Sequence, residues 1–222
     1  KYYKILLHLY YIDVSTDFLK KLTLLKKEMS FDLYVTIVGG SSADNTILKK
    51  DYKKIGANIK LVPNAGKDIL PKLTVLQDLV KQKKSYDYVF LLHDKKSPEY
   101  DRAMRSEWMD TWRQDLSSLL FDKALREQCF FALRYYSQIG ILGHLKHLKY
   151  GPGWHRKLYG HRRYLNECKL LDYQNQIKKY LNIVNVKNGA NDLIFKEEQA
   201  WFVGGTMFWM RWEVIKLFMT TF

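Results

Sequence analysis

With 222 residues, 47% of them hydrophobic and 27% charged, the chain can bury a core without disulfides or metals, and its composition excludes a disordered polymer. A balance of 37 basic against 23 acidic residues gives a net charge of +14, which favours an anionic partner: nucleic acid, an anionic membrane surface or a phosphorylated small molecule. Cys129 and Cys168 have no CxxC spacing and read as reduced thiols in a cytoplasmic setting, and the longest apolar run, Trp201 to Met210, is too short to span a membrane.

No signal peptide is in view, and the chain reads as a piece excised from a longer protein. Ile5 to Tyr11 predicts a first strand. A helix follows, with Phe18, Leu22, Leu25 and Met29 on one face and Ser15 or Thr16 as its cap. Phe31 to Val38 predicts the second strand, closed by Gly39-Gly40, and a lysine-rich helix from about Asn45 ends at Gly56. Asn58 to Val62 is the third strand. Pro63-Asn-Ala-Gly-Lys-Asp-Ile-Leu-Pro71 then leads into a helix whose apolar face is Ile69, Leu73, Leu76 and Val80. Asp68 has two readings here: a simple N-cap, or part of an anion-binding turn that offers backbone N–H groups and Lys67.

Tyr88 to Leu92 is a continuous apolar run, the pattern of a strand buried on both faces, and it ends abruptly in His93-Asp-Lys-Lys-Ser-Pro98. The first ninety-odd residues therefore read as β-α-β-α-β-α-β around a parallel sheet. Ligands of such sheets bind beyond the carboxyl ends of the strands. Four loops fall on that edge: Tyr10 to Asp13, Gly39 to Ser42, Asn64 to Asp68, and His93 to Ser97.

Further on, Trp108, Trp112, Leu116 and Leu119 predict an amphipathic helix, Phe130 to Tyr136 and Ile139 to Leu142 predict strands, and Leu170 to Tyr180 predicts a helix. His144 to Lys169 is basic and aromatic with a Gly-Pro-Gly turn, the composition of a phosphate-attracting surface. Its His144-x-x-His147 pair lacks the cysteine or carboxylate that would complete a zinc site. Trp201 to Trp209 predicts an apolar strand broken by Gly204-Gly205, where ligand approach and a packed bulge are equally open. Trp212 to Phe222 looks helical. Walker, GxGxxG, GxSxG and HExxH motifs are absent.

The order His8-Leu-Tyr-Tyr11, Phe31-Asp-Leu-Tyr-Val, Pro63-Asn-Ala-Gly-Lys-Asp-Ile, Tyr86 to Pro98 and Gly204-Gly-Thr-Met-Phe-Trp-Met-Arg211 resembles the rhamnan synthesis protein F family. That resemblance implies an α/β fold of GT-A type, a half-Rossmann, mostly parallel sheet flanked by helices in a single domain. Residues 1–98 would be the nucleotide-sugar half and residues 99–222 the acceptor-side half. It implies an inverting glycosyltransferase, with a nucleotide-sugar donor such as dTDP-rhamnose and a glycan or lipid-linked acceptor. The protein would be cytoplasmic or peripheral at a membrane.

By that resemblance the catalytic candidates are His93, Asp94 and Glu198, with Glu197 beside it. Donor binding falls to His8, Tyr10, Asn64, Gly66, Lys67, Asp68, Lys95 and Lys96, and acceptor binding to Gly205, Thr206, Trp209 and Arg211. GT-A enzymes usually hold Mn²⁺ or Mg²⁺ with an Asp-x-Asp motif. Here Asp94 is the one carboxylate left for a metal, and Lys95 and Lys96 offer a way to neutralise a diphosphate without one. The rival reading is a nucleic-acid-binding module built on His144 to Lys169, which rests on charge alone.

Overall fold

The structure, a computed structural model, describes residues 2–39, 43–66, 68–94, 106–145, 148–150, 201–203 and 206–221. Strand β1 (Tyr3–Leu9), helix α1 (Ile12–Glu28), strand β2 (Phe31–Val38), helix α2 (Ala43–Lys54), strand β3 (Ala57–Val62), helix α3 (Ile69–Lys81) and strand β4 (Tyr88–His93) alternate as the sequence predicts. Helices α4 (Ser106–Phe121) and α5 (Lys123–Tyr135) follow, then the short strands β5 (Ile141–Leu142), β6 (Leu148–Tyr150) and β7 (Trp201–Val203). Strand β8 (Phe208–Arg211) and helix α6 (Trp212–Thr221) come last.

One mixed sheet has the order β3-β2-β1-β4-β8-β5. The first four strands are parallel, and β8 runs antiparallel to both β4 and β5. Four strands thus come from residues 1–98 and two from the rest of the chain. Period-2 alternation sorts the side chains between the two faces. Ile5, Leu7 and Leu9 join Leu33, Val35, Phe90 and Leu92 under α1, α2, α4 and α5. Leu6, Val89 and Leu91 join Val75, Leu76 and Leu79 of α3 and Trp212 and Ile215 of α6 on the other face. Each such side chain, fully buried, contributes about 1.5–3 kcal/mol before the cost of ordering it.

Strands β6 and β7 belong to a second unit of the chain, separate from the six-stranded sheet. In its described part, β6 pairs antiparallel with β7. The rest of the basic segment from Gly151 onward, the helix expected over Leu170 to Tyr180, and both Glu197 and Glu198 lie outside the described residues.

Several expectations need correction. Phe130 to Tyr136 is not a strand, because α5 runs through it as far as Tyr135. Asp122 caps that helix by accepting from the Leu125 N–H at 3.0 Å, and Arg126, Cys129 and Leu133 recur on its buried side. The apolar run from Trp201 is two strands, β7 and β8, in different sheets. The buried side of α3 is Pro71, Lys72, Val75, Leu76 and Leu79, and Ile69 faces solvent. Neither Ser15 nor Thr16 caps α1: its N-cap position is Tyr11, with no side-chain bond of its own, and Ser15 lies buried inside the helix.

Candidate active site at the carboxyl edge of the sheet

Strand order reverses between β1 and β4, since the chain builds outward to β3 and then crosses back to the other side of β1. Such a switch point opens a crevice at the carboxyl ends of the strands. Here the alternation that keeps Leu6 on the α3 face also places His8 there, and register aligns Thr36, His8 and His93 across β2, β1 and β4. All three are buried, a polar row in an otherwise apolar layer. His8 Nδ1 lies 2.9 Å from Thr36 Oγ1.

The first turn of α3 meets this row. Gly66 adopts φ +67°, and a Cβ there would come within 2.3 Å of Leu70 Cβ, so the turn needs glycine. Asp68 occupies the N-cap position of α3 but makes no capping bond to its own helix. Its carboxylate faces inward instead. Asp68 Oδ2 accepts from Lys72 Nζ at 3.2 Å, accepts from the Thr206 hydroxyl, and stands 3.6 Å from His93 Nε2. Lys72 Nζ also donates to the Thr206 carbonyl at 3.1 Å and to its hydroxyl oxygen at 3.2 Å. Thr206 is held at φ +54°, a conformation uncommon for a threonine and here stabilised by these bonds. A buried lysine is tolerated because carboxylate, hydroxyl and carbonyl all face it.

Asp94 joins the ends of β1 and β4. Its Oδ2 accepts from the Tyr10 N–H at 2.7 Å and the Tyr11 N–H at 2.5 Å, so a strand-end carboxylate supplies the cap that α1 lacks locally. That oxygen is spent on two amides. Among the described residues no cluster of three His, Cys, Asp or Glu side chains offers a metal site.

Burial pushes the His8 imidazole down to about 4, helped by the Lys72 cation and opposed by Asp68. His8 is therefore neutral at pH 7. Above about pH 6.5 it is neutral folded and unfolded, and costs nothing. Between 6.5 and 4 the unfolded chain takes up a proton that the native state refuses, so stability should fall with acidification. The loss is on the order of 3 kcal/mol by the lower limit. His8→Gln should flatten that limb in urea midpoints followed against pH; an unchanged slope would assign the acid sensitivity elsewhere.

The structure thus brings together His8, Asp68, His93, Asp94 and Thr206 from the sequence-derived set. Tyr10 stands half exposed at the end of β1, and Asn64 and Gly66 are exposed in the turn before α3. Lys67, Lys95, Lys96, Glu198 and Gly205 lie outside the described residues. Trp209 and Arg211 are engaged within the protein itself. Trp209 is in the core, its Nε1 donating to the Leu119 carbonyl at 2.9 Å and its ring packed on Phe90 and Phe130. Arg211 pairs with Tyr88 at the amino edge of the sheet, where its guanidinium donates to the carbonyls of Leu133, Tyr136 and Ile139 and so closes the end of α5. Lys72 and Thr36 were missed by sequence reasoning. The signal for Lys72 was an i,i+4 partner for Asp68; Thr36 carried none.

The family model described as rhamnan synthesis protein F matches residues 1–221 of the chain. No curated protein matches the sequence. Among solved structures, a crystal structure of S. aureus TarS, residues 1–349, is similar at 14% identity and a TM-score of 0.31, covering 42% of this chain and 27% of that one. The chain thus spans about a quarter of the length of that structure.

Proposed function

The chain belongs to the rhamnan synthesis protein F family, and from that membership we propose that it is a glycosyltransferase of polysaccharide assembly. In this reading it moves a sugar, L-rhamnose as the family's association suggests, from a nucleotide-sugar donor such as dTDP-rhamnose to a hydroxyl of a growing or lipid-linked glycan, with inversion. The fold reading is GT-A-like, and the working place is cytoplasmic. One observation carries the site assignment: the buried polar row Thr36–His8–His93 at the switch point, beside Asp68 and Lys72.

In the reaction the bond from the anomeric carbon to the diphosphate breaks, and its electron pair leaves with the nucleotide. The acceptor oxygen attacks the opposite face of the sugar and gives up its proton. The Asp68–His93 pair is the base in this reading, because the carboxylate beside Nε2 favours the imidazolium that forms. Diphosphate charge falls to Lys67, Lys95 and Lys96, which directly follow Gly66 and Asp94 in the chain. Asp94 acts by holding Tyr10 and Tyr11 in place at the mouth.

A thermal-shift panel tests the donor assignment. dTDP- or UDP-sugars at millimolar concentration should raise the melting temperature while free sugars do not; no response to any nucleotide sugar would sink the reading. With a responsive donor in hand, His93→Ala should lower turnover by roughly 30- to 1,000-fold, about 2–4 kcal/mol. The donor-induced shift should persist in that variant. Unchanged turnover in the folded variant would remove His93 from the chemistry.

A further inference from the structure

Helices α1 and α2 are consecutive crossovers on one face of the sheet. Their buried stripes, Val14, Phe18, Leu22 and Leu25 on α1 and Leu48 and Tyr52 on α2, turn inward together. The outward stripes must then look away from the sheet side by side. They carry Lys20 and Lys27 on α1 and Lys50 and Lys53 on α2, all exposed.

The two helices carry eight lysines against five acids, Asp13, Asp17, Glu28, Asp44 and Asp51. Asp17 is paired to Lys21 and Asp51 to Lys54, each at 2.8 Å, and Glu28 turns to Arg126 of α5. Lys20, Lys27, Lys50 and Lys53 have no ion pair among the described residues. The opposite face differs in arrangement. On α3, Lys72 is buried, and Asp78 holds Lys60 of β3; on α6, Glu213 accompanies Lys216; the exposed lysines there, Lys81, Lys83 and Lys84, cluster at the end of α3 instead of lining a helix face. Among the described helices, α1 and α2 together present the longest outward row of lysines.

Two apolar side chains sit within this charge. Leu24 on α1 and Ile47 on α2 are each 59% exposed; Leu24 has Lys20, Lys21 and Lys27 three or four residues away in its helix, and Ile47 has Lys50 three residues on. A solvated helix face gains nothing from them, and neither does a face that binds only a phosphate backbone. A basic surface with apolar side chains that enter the headgroup region is what an anionic bilayer binds.

We infer that the α1–α2 face is a docking surface for an anionic lipid bilayer, with Lys20, Lys27, Lys50 and Lys53 meeting headgroups and Leu24 and Ile47 inserting between them. This is independent of the catalytic reading. It predicts that the chain works parallel to a membrane without crossing it, and among the described residues no helix is long and apolar enough to cross one.

The test is co-sedimentation of the full chain with phosphatidylcholine vesicles containing about a third phosphatidylglycerol, at about 0.1 M salt, against vesicles of phosphatidylcholine alone. Binding should require the anionic lipid and fade as salt rises. Each lysine near the surface is worth about fivefold in partitioning, so the combined variant K20Q/K27Q/K50Q/K53Q should bind more than about a hundredfold more weakly. Leu24→Ser with Ile47→Ser, which keeps every charge, should also weaken binding several-fold. The combined variant K81Q/K83Q/K84Q/K216Q, four charges removed away from these helices, should leave it nearly unchanged and controls for net charge. Retained binding in the four-lysine variant overturns the proposal. So does loss of binding by the charge-matched control to the same degree. Insensitivity to the Leu24/Ile47 change also overturns it, since a plain polyanion surface would then suffice.

Discussion

Replacing Lys72 by methionine should cost the fold about 3–5 kcal/mol, the penalty of leaving a buried charge without its partner. The methionine fills much of the same space between α3 and the sheet, so packing changes little. What changes is that Asp68 keeps its carboxylate beside His93 with no cation to balance it, and the Thr206 carbonyl loses its donor. Urea unfolding at pH 7 would show the loss as a lower midpoint with an unchanged slope. Adding Asp68→Asn should restore part of it, because the uncompensated charge goes as well, and the double variant should fall short of the sum of the singles. A Lys72 that behaves like an exposed pair would instead cost no more than about 1 kcal/mol, and its effect would add to that of Asp68→Asn.

The second large effect is expected at Asp94. Asp94→Ala removes the acceptor of two charge-assisted bonds from the Tyr10 and Tyr11 amides, and the favourable charge at the start of α1 goes with it. At about 1.5–3 kcal/mol per bond to a charged group, with partial rescue by water, a loss of about 3 kcal/mol is expected. Asp94→Asn keeps an oxygen in place without the charge and should cost roughly a third as much. Hydrogen exchange locates the effect: amides at the end of β1 and in the first turn of α1 should exchange faster in the alanine variant, while those in the middle of β2 stay protected. Uniform acceleration across the sheet would mean that Asp94 supports the whole domain instead of this junction.

The parallel part of the fold was legible in the sequence because buried parallel strands leave an unmistakable mark, short apolar runs such as Tyr88 to Leu92 separated by helical spacing. α5 was not, because Cys129-Phe-Phe-Ala-Leu-Arg-Tyr-Tyr136 is rich in residues that strands favour, and tertiary packing overrode that preference. The candidate cluster was legible at His8, His93 and Asp94, whose polarity is conspicuous in or after apolar runs, and at Asp68 in the turn before a helix. Lys72 was easily overlooked, since its only mark is the i,i+4 spacing from Asp68 and it lies on a helix face that a lysine should avoid. The Gly-Thr-Met-Phe-Trp-Met-Arg211 motif shows what a sequence cannot display, the direction of its strand. β8 runs antiparallel to β4, so the motif starts at the site with Thr206 and ends at the far edge with Arg211, several strand residues of about 3.4 Å each away. One motif therefore serves two opposite ends of the sheet.

The place of β8 in the sheet also governs the chain during its own synthesis. β4 borders β1 on one side and β8 on the other, and residues 94 to 207 separate the two partners in sequence. At about 5–20 residues per second, roughly 6–20 seconds pass between the emergence of β4 and that of β8 from a ribosome. Through that interval Tyr88-Val-Phe-Leu-Leu-His93 can close against β1 but presents an apolar open edge on its other side, without Trp209 or Trp212 to cover it. Such an edge is a template for pairing with a second nascent chain. A polysome crowded with these half-built sheets is where this protein is most exposed to aggregation, and slowing translation between β5 and β8 would aggravate the hazard.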